Sequence, residues 1–358
     1  MEIKRRKTRQ INVGGVTVGG GAPVRVQSMT NTETADADAT IKQVRKLVKA
    51  GCELVRIGVT DKASVRALKK IIAVSSVPII ADVHFNPKLA IDSFNAGAAG
   101  VRINPGNISE ENITQIAREA GKRGVAIRVG VNAGSLQKSL LKKYGHPTPE
   151  ALAESALGAV RLIATAGCEN IKVSVKASSA GATIDSYRLL SQQTDLPLHI
   201  GVTEAGPLLS GTVKSSVGLG ILLAEGIGDT MRVSLTTDPV QEVMVAKEIL
   251  SSLGLLAKIE IISCPTCART ETDLIELVED VEEALAKDFW PPIKVAIMGC
   301  VVNGPGEARE ADIGVACGKG RGVLFRFGKP VKNVEEDDYF EELMKELVTI
   351  KKNWRERI

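Results

Sequence analysis

From about residue 24 to residue 252, short aliphatic runs alternate with stretches whose apolar residues recur every three or four positions. The runs are VRVQSM (24–29), LVRIGV (54–59), PIIADV (78–83), VRINP (101–105), AIRVGV (126–131), NIKVSV (170–175), LHIGVT (198–203) and TMRVSL (230–235). Each is short and β-branched, the pattern of a strand buried on both faces. Between them lie helical spacings such as Ile41, Val44, Leu47 and Val48. One predicted helix opens on Thr148 as N-cap, with Pro149 at its first position, and ends at Gly167. The segments AGCELVRI (50–57), AGAAGVRI (96–103) and AGCENIKV (166–173) repeat one helix-to-strand junction. Eight strand–helix units over roughly 250 residues predict a (β/α)8 TIM barrel. An open doubly wound sheet needs a reversal of strand order that a uniform repeat does not suggest. The leading INVGGVTVGG reads as a hairpin turning at Gly14-Gly15 that plugs the barrel floor. The expected organisation is α/β, with a TIM barrel over residues 1–258 and a small α/β domain over 259–358.

Seven of the eight strands carry a basic residue at an equivalent place: Arg25, Arg56, Arg102, Arg128, Lys172, His199 and Arg232. The remaining strand has Ile80 at that place and an acid, Asp82, two residues later. Strand side chains alternate between faces, so equivalent positions point the same way. Buried cations are costly unless paired, and only Asp82 and Glu204 lie near strand ends as partners. This imbalance predicts an anionic ligand, and the forked donors of arginine suit phosphate. For Arg25 and Lys172 taken singly, pairing with a helix carboxylate on the outer wall stands as an alternative. Polar residues gather at the strand C-termini, where such barrels place active sites: Asp82, Asn104, Asn132, Lys176, Thr203, Glu204 and Ser234. The glycines of TEAGPLLSGTVKSSVGLG match neither a Walker loop nor a dinucleotide fingerprint.

Composition narrows the partners. A net charge of +4 and only 6 Phe, 3 Tyr and 2 Trp in 358 residues argue against nucleic acid. The basic start, MEIKRRKTRQ, has no apolar stretch behind it, so it reads as a solvated terminus and not as a signal peptide. No apolar run reaches the length of a membrane span, and a cytoplasmic location is expected.

Six cysteines are too sparse for a disulfide framework. Cys52 and Cys168 occupy equivalent helix-to-strand turns and read as packing residues. Cys264, Cys267, Cys300 and Cys317 follow the barrel. CPTC (264–267) comes after strand-like IEIIS, and Cys300 comes after strand-like KVAIMG, with a predicted helix at 272–287 between them. Paired C-x-x-C motifs would favour zinc, but the third and fourth cysteines are here far apart. Spacing favours an iron–sulfur site with an oxygen ligand, and leaves Cys317 and Glu307 competing for the fourth position. Glu307 is expected on a tight turn within VVNGPGEARE.

CPTC with MGCVVNGPGEAREADIG (298–314) resembles the 4-hydroxy-3-methylbut-2-enyl diphosphate synthase family. The barrel agrees in VQSMTNT (26–32), RINPGN (102–107), RVGVNAGSL (128–136), LHIGVTEAG (198–206) and GIGDTMRVSL (226–235). No large insert separates barrel and cysteines, which resembles the two-domain bacterial form. Ala268 stands where the family pattern has Gly. The resemblance implies a 4Fe-4S cluster held by Cys264, Cys267, Cys300 and Glu307. It implies reductive ring opening and dehydroxylation of 2-C-methyl-D-erythritol 2,4-cyclodiphosphate in the methylerythritol phosphate route to isoprenoids, with ferredoxin or flavodoxin as electron donor. It places substrate contacts at Arg56, Asp82, Arg102, Asn104, Arg128, Asn132, Lys176, Thr203, Glu204, Arg232 and Ser234; on chemical grounds Glu204 is also the candidate proton donor to the departing hydroxyl. It also implies a homodimer in which the cluster domain of one subunit closes the barrel of the other. Two rivals differ in chemistry: a phosphosugar lyase with structural zinc and a Schiff-base Lys172 or Lys176, and a non-enzymatic electron carrier.

Overall fold

The computed structural model describes residues 3–300, 302 and 304–355. The chain divides into two compact units, Met1–Leu255 and Leu256–Ile358.

The first unit opens with an antiparallel hairpin, β1 (Ile11–Val13) and β2 (Val16–Val18), paired Val13 to Val16 across Gly14-Gly15. Eight units follow. They are β3 (Arg25–Met29) with α1 (Ala37–Lys49), β4 (Leu54–Val59) with α2 (Lys62–Val74), and β5 (Ile79–Val83) with α3 (Pro87–Asn95). Next come β6 (Gly100–Ile103) with α4 (Glu110–Arg123), and β7 (Ala126–Asn132) with an extra short α5 (Lys138–Tyr144) before α6 (Pro149–Thr165). The last are β8 (Ile171–Lys176) with α7 (Ala180–Gln193), β9 (His199–Ile200) with α8 (Leu208–Ala224), and β10 (Thr230–Met231) with α9 (Pro239–Ser252). The sheet is parallel in the order β8-β7-β6-β5-β4-β3-β10-β9. A bridge between Val173 and Leu198 joins its two ends, closing the barrel.

Local sequence explains the joints. Helices α1, α2, α3, α4, α6, α7 and α9 each start after an Asp, Asn, Ser or Thr whose side chain accepts a backbone N–H of the first turn. The glycine of the repeated junction takes a left-handed conformation, φ +99° at Gly51 and +89° at Gly167, which turns the chain back toward the next strand. Ile11, Val13 and Val18 of the hairpin pack on Leu54, Ile80 and Ala126, the first inward-facing residues of β4, β5 and β7. The floor of the barrel is therefore sealed by aliphatic side chains, as the hairpin's position predicts.

The second unit is a five-stranded sheet with helices. It runs β11 (Glu260–Ser263), α10 (Leu274–Ala286), β12 (Lys294–Met298), α11 (Gly304–Arg309), β13 (Ile313–Ala316), β14 (Arg321–Arg326), β15 (Lys329–Glu335) and α12 (Tyr339–Arg355). Strands lie in sequence order, with β11, β12 and β13 parallel and the last two antiparallel. Val281, Val295, Ile297, Val315, Leu324, Leu343 and Leu347 form its core. No helix of the described residues is long and apolar enough to cross a membrane.

Candidate active site

Above the aliphatic floor the barrel interior turns polar. Strand alternation puts Gln27 and Met29, Arg56 and Gly58, Asp82 and His84, Arg102 and Asn104, and Arg128, Gly130 and Asn132 on the inward face. Lys172 and Lys176, His199 and Thr203, and Arg232 and Ser234 complete it. Register aligns Asp82 with Arg102, Arg102 with Arg128, and Arg128 with Lys172. Asp82 is the hub: Arg56 Nε lies 3.6 Å from one carboxylate oxygen, and Arg102 Nη1 3.4 Å from the other. Arg102 Nη2 also donates to the Gly130 carbonyl at 3.1 Å. Glycine makes room for these cations, since a Cβ at Gly130 would stand 2.7 Å from Arg102 Nε, and one at Gly201 2.4 Å from Lys176 Nζ.

Arg25 does not belong to this set. It pairs with Glu53 at 2.6 Å and donates to the Thr17 carbonyl, at the hairpin end of the barrel. Parallel strands in a barrel are staggered, so Arg25 is level with Thr230, two residues short of Arg232. Lys172 meets the opposite fate from the outer-wall pairing left open for it. It is 1% exposed, and among the described residues its polar contact is Gln27 Oε1 across the lumen at 3.5 Å.

The electrostatics are lopsided. Burial pushes the Lys172 ammonium down to about 7, with Arg128 and Arg56 adding to the effect. Burial and then the surrounding cations also depress Arg128, Lys176 and His199 well below their ordinary values. Burial lowers Arg56 to about 10, partly offset by Asp82. For Asp82, burial opposes ionisation, but Arg56, a hydrogen bond from His84 and Arg102 prevail and hold the carboxyl far below the carboxylate range. Arg128 is only 3% exposed, and among the described residues its Nε and Nη1 have no hydrogen-bond partner; Arg102 Nε is likewise unpartnered there. Buried donors without acceptors cost free energy that an anion in the lumen would recover.

The remaining expected contacts are spread over the strand ends. Asn104 is buried and braces its loop, donating to Ser135 Oγ at 2.7 Å and accepting from Gly106 N–H at 3.0 Å. Asn132, Thr203 and Ser234 are half-buried. Glu204 is exposed and held at φ +53°, a left-handed conformation rare for a residue with a side chain. Three participants escape the sequence pattern. Glu242 of α9 is 4% exposed and accepts from Arg232 Nη2 at 3.2 Å, so Arg232 has a carboxylate that strand alternation does not reveal. His84 places Nε2 3.0 Å from Arg102 Nη1. The Met29 thioether receives two N–H groups of Arg56. A two-residue continuation of the inward alternation identifies His84 and Met29 as lumen residues, but nothing in the sequence signals Glu242.

In the second unit, Cys264 directly follows β11, Cys300 lies two residues past β12, and Cys317 directly follows β13. Three cysteines thus end three neighbouring parallel strands. Gly299 N–H donates to Cys264 Sγ at 3.2 Å. The backbone N–H of Arg269 pulls the exposed Cys267 thiol below its ordinary value, with help from Thr270. Hydrogen bonds of this kind stabilise thiolates, the form that binds iron. Cys317 is fully buried and packs with Val315, Leu324 and Tyr339. Glu307 is exposed on α11, a short helix where a tight turn was expected; Val301 and Asn303 of that stretch lie outside the described residues. Among the described residues, no three His, Cys, Asp or Glu side chains stand close enough to hold a single metal ion. The donor set of three thiols and a carboxylate, two of the thiols already receiving N–H groups, fits an iron–sulfur cluster, whose ligands bind separate irons. Cys52 and Cys168 are buried, and burial raises their thiols to about 12 and about 11, so they are inert packing groups.

Residues 8–247 match the model of the GcpE TIM-barrel domain, and residues 260–349 that of the GcpE protein C-terminal domain. The chain belongs to the GcpE family. It is 54% identical to the 4-hydroxy-3-methylbut-2-en-1-yl diphosphate synthase (flavodoxin) of Aquifex aeolicus, over 98% of this chain and 99% of that protein. It is 55% identical to the enzyme of the same name from Geobacter sulfurreducens, over 97% and 98%. A dihydropteroate synthase from Stenotrophomonas maltophilia shares the fold alone, with 16% identity and a TM-score of 0.50 over 68% of this chain and 98% of that one. For a GcpE protein, the charged barrel interior and the cysteine-bearing strand ends are the two parts that need chemical roles.

Proposed function

We propose that the barrel binds 2-C-methyl-D-erythritol 2,4-cyclodiphosphate and that this GcpE protein reduces it to 4-hydroxy-3-methylbut-2-enyl diphosphate. The observation that carries this is the buried Arg128 guanidinium with two unpartnered nitrogens, among cations that outnumber the lumen carboxylates. A compact diphosphate supplies the missing acceptors. Arg56, Arg102, Arg128, Lys176 and Arg232 grip its oxygens, while Asp82, Asn104, Asn132, Thr203 and Ser234 orient the carbon skeleton and hydroxyls. Cys264, Cys267, Cys300 and Glu307 hold a 4Fe-4S cluster, which when bound supplies single electrons and Lewis acidity. The carboxylate is the more labile of these ligands. Two electrons and one proton convert the cyclic diphosphate dianion into the linear diphosphate trianion and water: two C–O bonds break and a carbon–carbon double bond forms. Glu204, exposed in the loop after β9, delivers that proton to the departing hydroxyl. The name shared by the relatives points to flavodoxin as the electron source for this chain too. The enzyme works as a homodimer in which the cysteine-bearing unit of one subunit closes the barrel of the other.

Anaerobic purification tests the whole assignment. The expected product is a brown protein that, with reduced flavodoxin, consumes two electrons per cyclic diphosphate. A colourless protein trapped covalently by borohydride with a phosphosugar would instead indicate lyase chemistry at Lys172 or Lys176.

Substrate binding should also take up protons. With its pKa lowered from 10.5 to about 7, Lys172 is mainly neutral in the free folded protein at pH 8.5, whereas in the unfolded chain it is charged. Folding therefore loses a proton in this window, and stability rises with pH between about 7 and 10.5, the penalty being fully present below 7. An anion in the lumen reverses the shift. Calorimetry at pH 8.5 in buffers of different ionisation enthalpy should show net proton uptake on binding; proton release would contradict it.

A further inference from the structure

Arg56 is the lumen cation with the most unusual partner. Its Nε and Nη2, the two forked donors that would take two oxygens of one phosphate, both point at Met29 Sδ, at 3.1 and 2.9 Å. Arg232 Nη1 approaches the same sulfur at 3.7 Å. Met29 and Arg56 are direct neighbours in the sheet register, and the open side of Gly58 faces the Met29 methyl, 3.9 Å from where a Cβ would stand. Two guanidinium groups thus converge on one thioether.

We propose that Met29 is a positioning residue for substrate binding: its sulfur is a weak, neutral placeholder that keeps the Arg56 fork and Arg232 Nη1 aimed at one point until a phosphate oxygen displaces it. The proposal rests on a diphosphate occupying the lumen, and deepens it by naming what holds the site open for it. The chemistry of the alternatives explains the choice of residue. Thioether sulfur is a poor acceptor, so giving it up costs little. A carboxylate or amide there would hold the donors far better and compete with the ligand. With no acceptor there at all, the Arg56 fork would be free to turn onto Asp82, whose Oδ2 is already 3.6 Å from Nε. The Arg56–Asp82 ion pair, long at 3.6 Å, would then tighten and would have to be broken before phosphate could bind. Packing alone does not require sulfur, since leucine fills nearly the same volume.

The test compares wild type, Met29→Leu and Met29→Gln as anaerobic holoenzymes, measuring binding of the cyclic diphosphate, KM, kcat and the thermal midpoint. Met29→Leu should bind substrate about 10-fold more weakly, and Met29→Gln about 10- to 100-fold, the range of one to two charge-assisted hydrogen bonds. KM should carry the change and kcat should stay within about threefold, because the loss is in ground-state positioning. Leu bound as tightly as wild type would overturn the proposal, as would a fall in kcat at unchanged KM. If Leu proves unstable, Gln decides, since binding as tight as wild type with a polar acceptor in place contradicts a placeholder role. A wild-type protein that binds no diphosphate would instead sink the assignment of the lumen itself, whatever the variants do.

Discussion

Arg128→Met should make the ligand-free protein more stable and at the same time nearly abolish substrate binding. Both effects follow from one fact: Arg128 is 3% exposed, with Nε and Nη1 unpartnered. Its cation neighbours are Arg56 and Arg102, and the nearby carboxylate, Asp82, is shared with both of them. Replacing a buried, uncompensated charge by an apolar side chain of similar length is expected to stabilise by about 1–4 kcal/mol. The same change removes charge-assisted hydrogen bonds to the diphosphate, and truncating one side of such a buried pair costs about 2–5 kcal/mol, or roughly 30- to 5000-fold in affinity. Differential scanning calorimetry of the ligand-free protein and titration with the cyclic diphosphate read the two halves separately. A variant that is less stable and binds normally would show that Arg128 is a structural residue and that its unpaired nitrogens have another explanation.

The opposed signs matter because ordinary core substitutions move stability and function together. A lumen built for folding alone would neutralise its cations, as Arg25 is neutralised by Glu53 at the floor and Arg232 by Glu242. Arg128 and Lys172 are left without such partners in the inward layer next above the aliphatic floor. That arrangement stores unfavourable free energy where the ligand can relieve it, which is a way of making affinity depend on charge.

Much of this was legible in the chain because both relevant periods are simple. The two-residue alternation of buried strands places Arg56, Asp82, Arg102, Arg128 and Arg232 on one face, and the recurrence of short aliphatic runs counts eight units. Alternation does not give height along the barrel axis. Arg25 occupies the same place in its run as Arg56, yet strand stagger drops it to the floor, where Glu53 claims it. Ladder hydrogen bonding is also shorter than the aliphatic runs in β9 and β10, each of two residues, because the inward polar positions there end in loops. Glu242 was hidden for a different reason: it belongs to α9, whose pattern predicts a helix face but not a carboxylate reaching over to a strand. In the second unit the parallel β11, β12 and β13 explain why widely spaced cysteines end at one edge of the sheet. Sequence spacing left Glu307 and Cys317 in competition; Glu307 is exposed on α11, whereas Cys317 is buried directly after β13.

Exchanging those candidates one at a time should split them by orders of magnitude. Cys264→Ala removes a thiol that already receives the Gly299 N–H at a strand end. The anaerobically purified variant should lack the visible absorbance of the cluster and retain less than about a thousandth of wild-type activity, since one of its three thiolate ligands is gone. Cys317→Ala should keep its absorbance and activity within about threefold. Its thiol lies at 0% exposure among Val315, Leu324 and Tyr339, so its loss is a small core deletion worth about 1 kcal/mol of stability. Glu307→Ala should fall between them. With the three cysteines intact, the cluster should assemble but lose iron faster in air, and the loss rate followed at about 400 nm measures this, in the region where thiolate-ligated iron absorbs. The ordering carries the assignment. If Cys317→Ala bleached the protein while Glu307→Ala did not, the fourth ligand would be the buried cysteine, and β13 would have to shift its end outward to supply it.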